Sequence, residues 1–159
     1  MKMKNMDEWF DQLDENTEEP QAFGFDDGIT EAKLTDVSLY ESQSSAWTAV
    51  QFEFTDADGN TDNGFRISVS RKKNDGSKLP EKMWQRSVFQ LMQPLILSDK
   101  NYKAALSLDA IRRGNEAVVE ALQILVDKLN VKVEKSTPAK KSDGTQPFPE
   151  YTFLKVNAF

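Results

Sequence analysis

The sequence predicts a mainly β, α+β domain: five short strands with a helical insertion between the third and the fourth. Three observations predict it. Apolar residues alternate at a period of two through residues 29–41, 46–71, 130–135 and 150–156, which is strand spacing. Between the third and fourth strands, residues 81–96 and 115–129 change to helical spacing. Stretches rich in turn residues, such as DADGNTDNG and STPAKKSDGTQPFP, stand at the joints.

Residues 1–27 are acidic and poor in β-branched residues, with Pro20, Gly24 and Gly28 marking their end. They are expected to be partly flexible or to hold a short docked helix, because Met6, Trp9, Phe10 and Leu13 recur at helical spacing. Residues 28–159 form the domain proper. ITEAKLTDVSLYE alternates through Ala32, Leu34, Val37 and Leu39 with one phase slip, which predicts a strand with a bulge. AWTAVQFEF places Val50, Phe52 and Phe54 on one face and Trp47, Ala49, Gln51 and Glu53 on the other. GFRISVSR then sets Phe65, Ile67 and Val69 against Arg66, Ser68 and Ser70.

EKMWQRSVFQLMQPLI reads as a helix that Pro94 interrupts. NEAVVEALQILVDKL lays Val118, Leu122, Leu125 and Leu129 on one stripe, with Asn115 as its cap and Gly114 just before it. NVKVEK directs Val131 and Val133 inward and Lys132 outward. EYTFLKV, the last strand, is expected to turn Leu154 and Val156 inward and Tyr151, Phe153 and Lys155 outward. This order is the connectivity of a five-stranded OB-fold barrel with a helical insertion between strands 3 and 4. An open antiparallel sheet in an α+β domain shares most of these elements, and periodicity does not separate the two.

Composition narrows the function. The chain has 159 residues and 38% hydrophobic content, enough for one modest core. It has no cysteine and no histidine, which removes disulfides, thiolate zinc sites and the commonest general base. The expectation is a protein without catalytic residues, cofactor or metal. No apolar run reaches the length of a membrane span, and MKMKNMDEWF lacks the pattern of a signal peptide, so a cytoplasmic setting is expected. The net charge of -6 is uneven: residues 1–31 carry -8 and residues 32–159 carry +2. An acidic flank on a mildly basic body is the pattern of a domain that meets a polyanion, and equally of a solvated flank on an ordinary domain.

Binding an unpaired strand needs a cationic track for phosphates and exposed rings for bases, each stack contributing roughly 1–3 kcal/mol. The outer face of the third strand, with Arg66, runs into a basic loop holding Arg71, Lys72, Lys73 and Lys78. A charge-blunted sheet edge has the same composition. Trp47, Tyr151, Phe153 and Lys155 are expected on the outer surface, and for Trp47 and Phe153 both base stacking and cover by helices fit. The turn before the last strand adds Lys140, Lys141 and Phe148, flanked by Lys132 and Lys135, as a clamping arm.

Two other motifs carry less. Asp56, Asp58, Asn60 and Asp62 have calcium-loop spacing, but Thr61 stands where glycine is wanted and Ile67 where a bidentate glutamate is wanted. The pairs Asp26 and Asp27, and Glu18 and Glu19, lack the strand-borne arrangement a metal nuclease uses.

Through GITEAKLTDVSLYES, AWTAVQFEF, GFRISVSRKK, the helical insertion, NVKVEK and EYTFLKV, residues 28–159 resemble the small single-stranded DNA-binding proteins encoded by bacteriophages. The resemblance implies an OB-fold, binding of single-stranded DNA with little sequence preference in phage DNA replication or recombination, and no cofactor. It further implies work in the host cytoplasm, replication or recombination proteins as partners, and assembly into dimers or larger forms. Many single-strand binders end in an acidic tail closed by an aromatic residue. Here Phe159 follows the non-acidic LKVNA, and the acidic segment, with Trp9 and Phe10, lies at the other end. The competing expectation is a non-enzymatic interaction or structural phage protein whose acidic N-terminal segment engages a protein partner.

Overall fold

The fold is that of a computed structural model, which describes residues 6–16, 24–73 and 76–156. A short helix α1 (Met6–Asp11) precedes three strands, β1 (Gly28–Glu41), β2 (Thr48–Asp56) and β3 (Thr61–Ile67). Helices α2 (Glu81–Ile96), α3 (Leu108–Arg113) and α4 (Asn115–Leu122) follow, and β4 (Asn130–Ser136) and β5 (Glu150–Leu154) complete the chain's order. The strands form one five-stranded antiparallel sheet in the order β3-β2-β1-β4-β5. The domain is thus α+β, with the helices inserted between the third and fourth strands, and the sheet is open: its ladder stops at β3 on one side and β5 on the other.

β1 is the axis of the sheet. Its first residues, Gly28 to Lys33, pair with β4, and Ala32 to Glu41 pair with β2. The phase slip in its sequence is a register shift between Leu34 and Asp36, which lets both Leu34 and Val37 face inward. A second shift lies between β2 and β3: Phe52 is opposite Phe65, whereas Phe54 is opposite Asp62. The extra residue on β3 resets the parity, so Phe65 and Asp62 are both buried although they are an odd number of residues apart.

The sheet's inner face and the helices share one core. Phe52, Phe54, Leu91, Leu122 and Leu129 are among its fully buried side chains, each contributing about 1.5–3 kcal/mol through burial. The stripe of Val118, Leu122, Leu125 and Leu129 is buried throughout, although the α-helix ends at Leu122 and continues as a 3₁₀ turn over Gln123–Leu125. Pro94 does not end α2. The helix runs on to Ile96 with the Pro94 ring fully buried, because a proline in the last turn removes only one late hydrogen bond. Nor does Asn115 cap α4: Gly114 holds that position, and the Asn115 side chain turns into the sheet.

In the N-terminal segment Met6 and Phe10 of α1 are exposed. Gly24 is tied to the sheet, its N–H donating to the Thr61 carbonyl (2.9 Å), and Phe25 is buried. The side chain of Trp9, the pair Glu18 and Glu19, and Phe159 lie outside the described residues. Among the described residues no helix is long and apolar enough to cross a membrane.

Candidate nucleic-acid interface

On the outer face of the meander, cross-strand pairing sets Ser38 of β1 opposite Gln51 of β2, and Gln51 opposite Arg66 of β3. Tyr40, two residues beyond Ser38, shares that face. The Arg66 guanidinium lies over the Tyr40 ring, 3.9 Å from its centroid, and its Nε donates to Gln51 Oε1 at 2.8 Å. Trp47, just before β2, meets Tyr40 edge-on with centroids 5.8 Å apart and keeps 37% of its surface exposed. Two rings and a guanidinium therefore form one contiguous patch at the β1–β2 turn. Asn115 fixes its base: its side-chain amide donates to Thr48 O, Thr48 Oγ1 and Ser68 Oγ, and its Oδ1 accepts from Val69 N (2.8 Å).

The described flanks of the basic loop after β3 pair with each other. Lys72 bridges to Lys78, Lys73 N–H donates to Ser77 O, and Leu79 N–H donates to Arg71 O. Arg71 is tethered to α2, with Glu81 as its ion-pair partner at 3.1 Å and the Trp84 ring 4.7 Å from its guanidinium carbon. Trp84 in turn donates from Nε1 to Val69 O, which anchors α2 on the end of the β3 segment. Lys72, Lys73 and Lys78 are exposed. Between β4 and β5, Lys140 and Lys141 are exposed beside a turn closed by Lys141 N–H to Thr145 O, and Phe148 is 89% exposed. Lys132 is half-buried opposite Leu154, and Lys155 is exposed.

The expected parity of β5 is reversed. Phe153 pairs with inward Val133, is buried, and meets Phe65 edge-on at 4.8 Å, so it belongs to the core and not to the outer surface. Its sequence alternates equally well in either phase; the pairing with β4 decides. Tyr151 is half-buried in the same direction, its ring 6.0 Å from Phe65. Ala49, expected outside, is fully buried. Lys135, expected in the basic arm, is buried and pairs with Asp62 at 2.9 Å, both side chains 3% exposed.

Asp62 is the hub of this seam between β3 and β5. Its carboxylate accepts from Lys135 Nζ, Tyr151 OH, Phe25 N and Gly64 N at 2.8–2.9 Å. Burial alone would raise its pKa, but Lys135, the two backbone N–H groups and the Tyr151 hydroxyl outweigh it and hold the carboxyl below the ordinary aspartate range. Burial, the hydrogen bond to Asp62 and the charge of Asp62 push the Tyr151 phenol well up, against the opposing charge of Arg66. Asp56 instead ties the β2–β3 turn, accepting from Asp58 N and Asn60 N. The carboxylates at calcium-loop spacing thus diverge, one into a turn and one into the interior. Among the described residues no cluster suits a metal ion.

Gly64 is required where β3 bulges past β5. A Cβ there would collide with the Tyr151 hydroxyl. Gly64→Ala is expected to cost about 1–3 kcal/mol by breaking the Tyr151–Asp62 hydrogen bond. Urea unfolding checks it, and in a Tyr151→Phe background, which removes the colliding oxygen, the cost should shrink.

Strand phase places Gln51 on the face shared with Trp47 and Arg66, but does not single out Tyr40 or Asn115 for this patch. Tyr40 was visible only once the bulge in β1 fixed which residues share a face with Gln51. No protein-family model matches the chain, and neither does any curated protein or solved structure.

Proposed function

We propose that the protein binds single-stranded DNA without sequence preference, through base stacking on Trp47 and phosphate contacts from Arg66 and the surrounding lysines. The observation that carries this reading is the patch of Tyr40, Trp47 and Arg66: exposed ring surface beside a half-buried cation, on the outer face of β1–β3. The strand order supports an OB-type topology, since β3-β2-β1-β4-β5 is the order of that Greek-key barrel opened between its third and fifth strands. In OB-folds the ligand face is that of strands 2 and 3, flanked by the loops after strands 1 and 4. Here those elements carry Arg66, Trp47, and the Lys140, Lys141 and Phe148 loop. Side-chain contacts of Asp62 with Tyr151, and of Phe65 with Phe153, bring the two edges together without a ladder.

The resemblance to phage-encoded single-strand binders extends the proposal to strand protection in phage DNA replication or recombination, in the host cytoplasm, with replication or recombination proteins and further copies of the chain as partners. A second reading, a protein-interaction module, is favoured by the exposed Met6 and Phe10 on acidic α1.

Titrating the full chain with oligothymidine at low salt should quench tryptophan fluorescence, and added salt should reverse it steeply. Of the three tryptophans Trp84 is buried, and Trp47→Phe should remove the Trp47 share of the quenching while retaining binding. Trp47→Ala should weaken binding by roughly 1–3 kcal/mol. No binding at low salt overturns the proposal and leaves the interaction module.

A further inference from the structure

Arg66 is held on two sides by neutral groups. Its flat face lies on Tyr40, and its Nε donates to Gln51 Oε1. Gln51 is itself turned by Nε2 donation to Ser38 Oγ (3.4 Å), which leaves its carbonyl oxygen aimed at Arg66. The ion pairs among the described residues are Arg71–Glu81, Arg113–Asp109 and Lys135–Asp62, and none includes Arg66. A guanidinium has five N–H donors. With Nε engaged, the four on the two Nη atoms have no acceptor among the described residues.

That arrangement differs from the other cations around it. Lys135 and Arg71 have carboxylate partners, while Lys72, Lys73, Lys140 and Lys141 are exposed. Arg66 is half-buried and oriented, and has no ion-pair partner among the described residues. The Nη edge of an oriented guanidinium matches two oxygens of a phosphate, and a fork already held in place loses little entropy on binding.

We infer that Tyr40 and Gln51 are positioning residues that hold Arg66 as a preformed receptor for one phosphodiester, with the Trp47 ring beside it receiving an adjoining base. The inference rests on the single-strand reading above and names its central one-nucleotide subsite. Tyr40 acts through its ring face and Gln51 through its carbonyl oxygen; neither touches the strand. Binding at this subsite follows the backbone phosphate and is indifferent to base identity.

The test is a double-mutant cycle on oligothymidine affinity across a salt series, using the full chain, with urea midpoints to establish that each variant is folded. Arg66→Ala should weaken binding roughly tenfold or more, and should make the slope of log affinity against log salt shallower by about 0.7, the value for one phosphate contact on a single strand. Gln51→Leu and Tyr40→Leu should each weaken binding severalfold in the parent and hardly at all in the Arg66→Ala background. Tyr40→Phe should bind as the parent does. If Arg66→Ala does not fold, Arg66→Lys replaces it: the charge and the salt slope stay, while the dependence on Gln51 and Tyr40 should disappear. Equal costs of Gln51→Leu in both backgrounds, or an unchanged salt slope in Arg66→Ala, overturn the inference and leave the single-strand reading standing. A parent chain that does not bind oligothymidine overturns both.

Discussion

Asp62→Ala is expected to lower the unfolding free energy by about 3–5 kcal/mol, read as a fall in the urea midpoint at neutral pH. The magnitude follows from what the substitution leaves behind. Lys135 would keep its charge in a site where its side chain is 3% exposed, and Tyr151 OH, Phe25 N and Gly64 N would lose an acceptor at the same moment. Replacing the pair together, Asp62→Leu with Lys135→Met, should recover much of the loss, because an apolar pair leaves no stranded charge. A single substitution that costs less than about 1 kcal/mol would show that the pair is hydrated. The same carboxylate sets an acid dependence. Its folded pKa lies below its unfolded value, so its contribution is fully present above the unfolded value of about 3.9 and is lost as pH falls through the lower folded one. Stability measured downward from about pH 4 should therefore fall more steeply in the parent than in the Asp62→Leu, Lys135→Met variant.

Phe153→Ala is the second large effect, about 3–5 kcal/mol of lost stability. The ring packs within 4.8–5.7 Å, centroid to centroid, of Phe65 and Phe54, and is 7% exposed, so truncation opens a cavity among rings that β2 and β3 hold in place. Under conditions where the variant stays folded, its affinity for oligothymidine should match the parent's. Trp47→Ala should behave in the opposite way, losing affinity with little change in urea midpoint. A Phe153→Ala variant of parental stability would mean that β5 presents its other face to the core.

These contrasts also mark how far the sequence carries. The alternation of β2 and β4 was legible because Phe52, Phe54, Val131 and Val133 have polar neighbours on both sides, which fixes the buried face. The slip in β1 was legible as well, since Leu34 and Val37 break the period at one point. β5 was not: Tyr151 and Phe153 alternate with Thr152 and Leu154, both phases are apolar enough to be buried, and only the opposing Val133 selects one. Asp62 was hidden by the bulge in β3, since counting back from Phe65 by twos reaches Asn63 instead. Lys135 looked like a surface lysine because its partner lies 73 residues away. The site divides in the same manner. The outward placement of Trp47, Gln51 and Arg66 was readable from strand phase, whereas the contacts of Arg66 with Tyr40 and Gln51 emerge only from the pairing of the strands.

The hub at Asp62 has a consequence for how the molecule assembles. Its partners Phe25, Lys135 and Tyr151 stand 37, 73 and 89 residues away along the chain. Closing loops of that size costs entropy that nearby pairings do not, so the turn between β2 and β3 is expected to form early and this junction late. Interactions formed that late do little to hasten folding and much to delay its reversal. A single buried carboxylate is thus expected to act as the latch that sets how long the finished molecule endures.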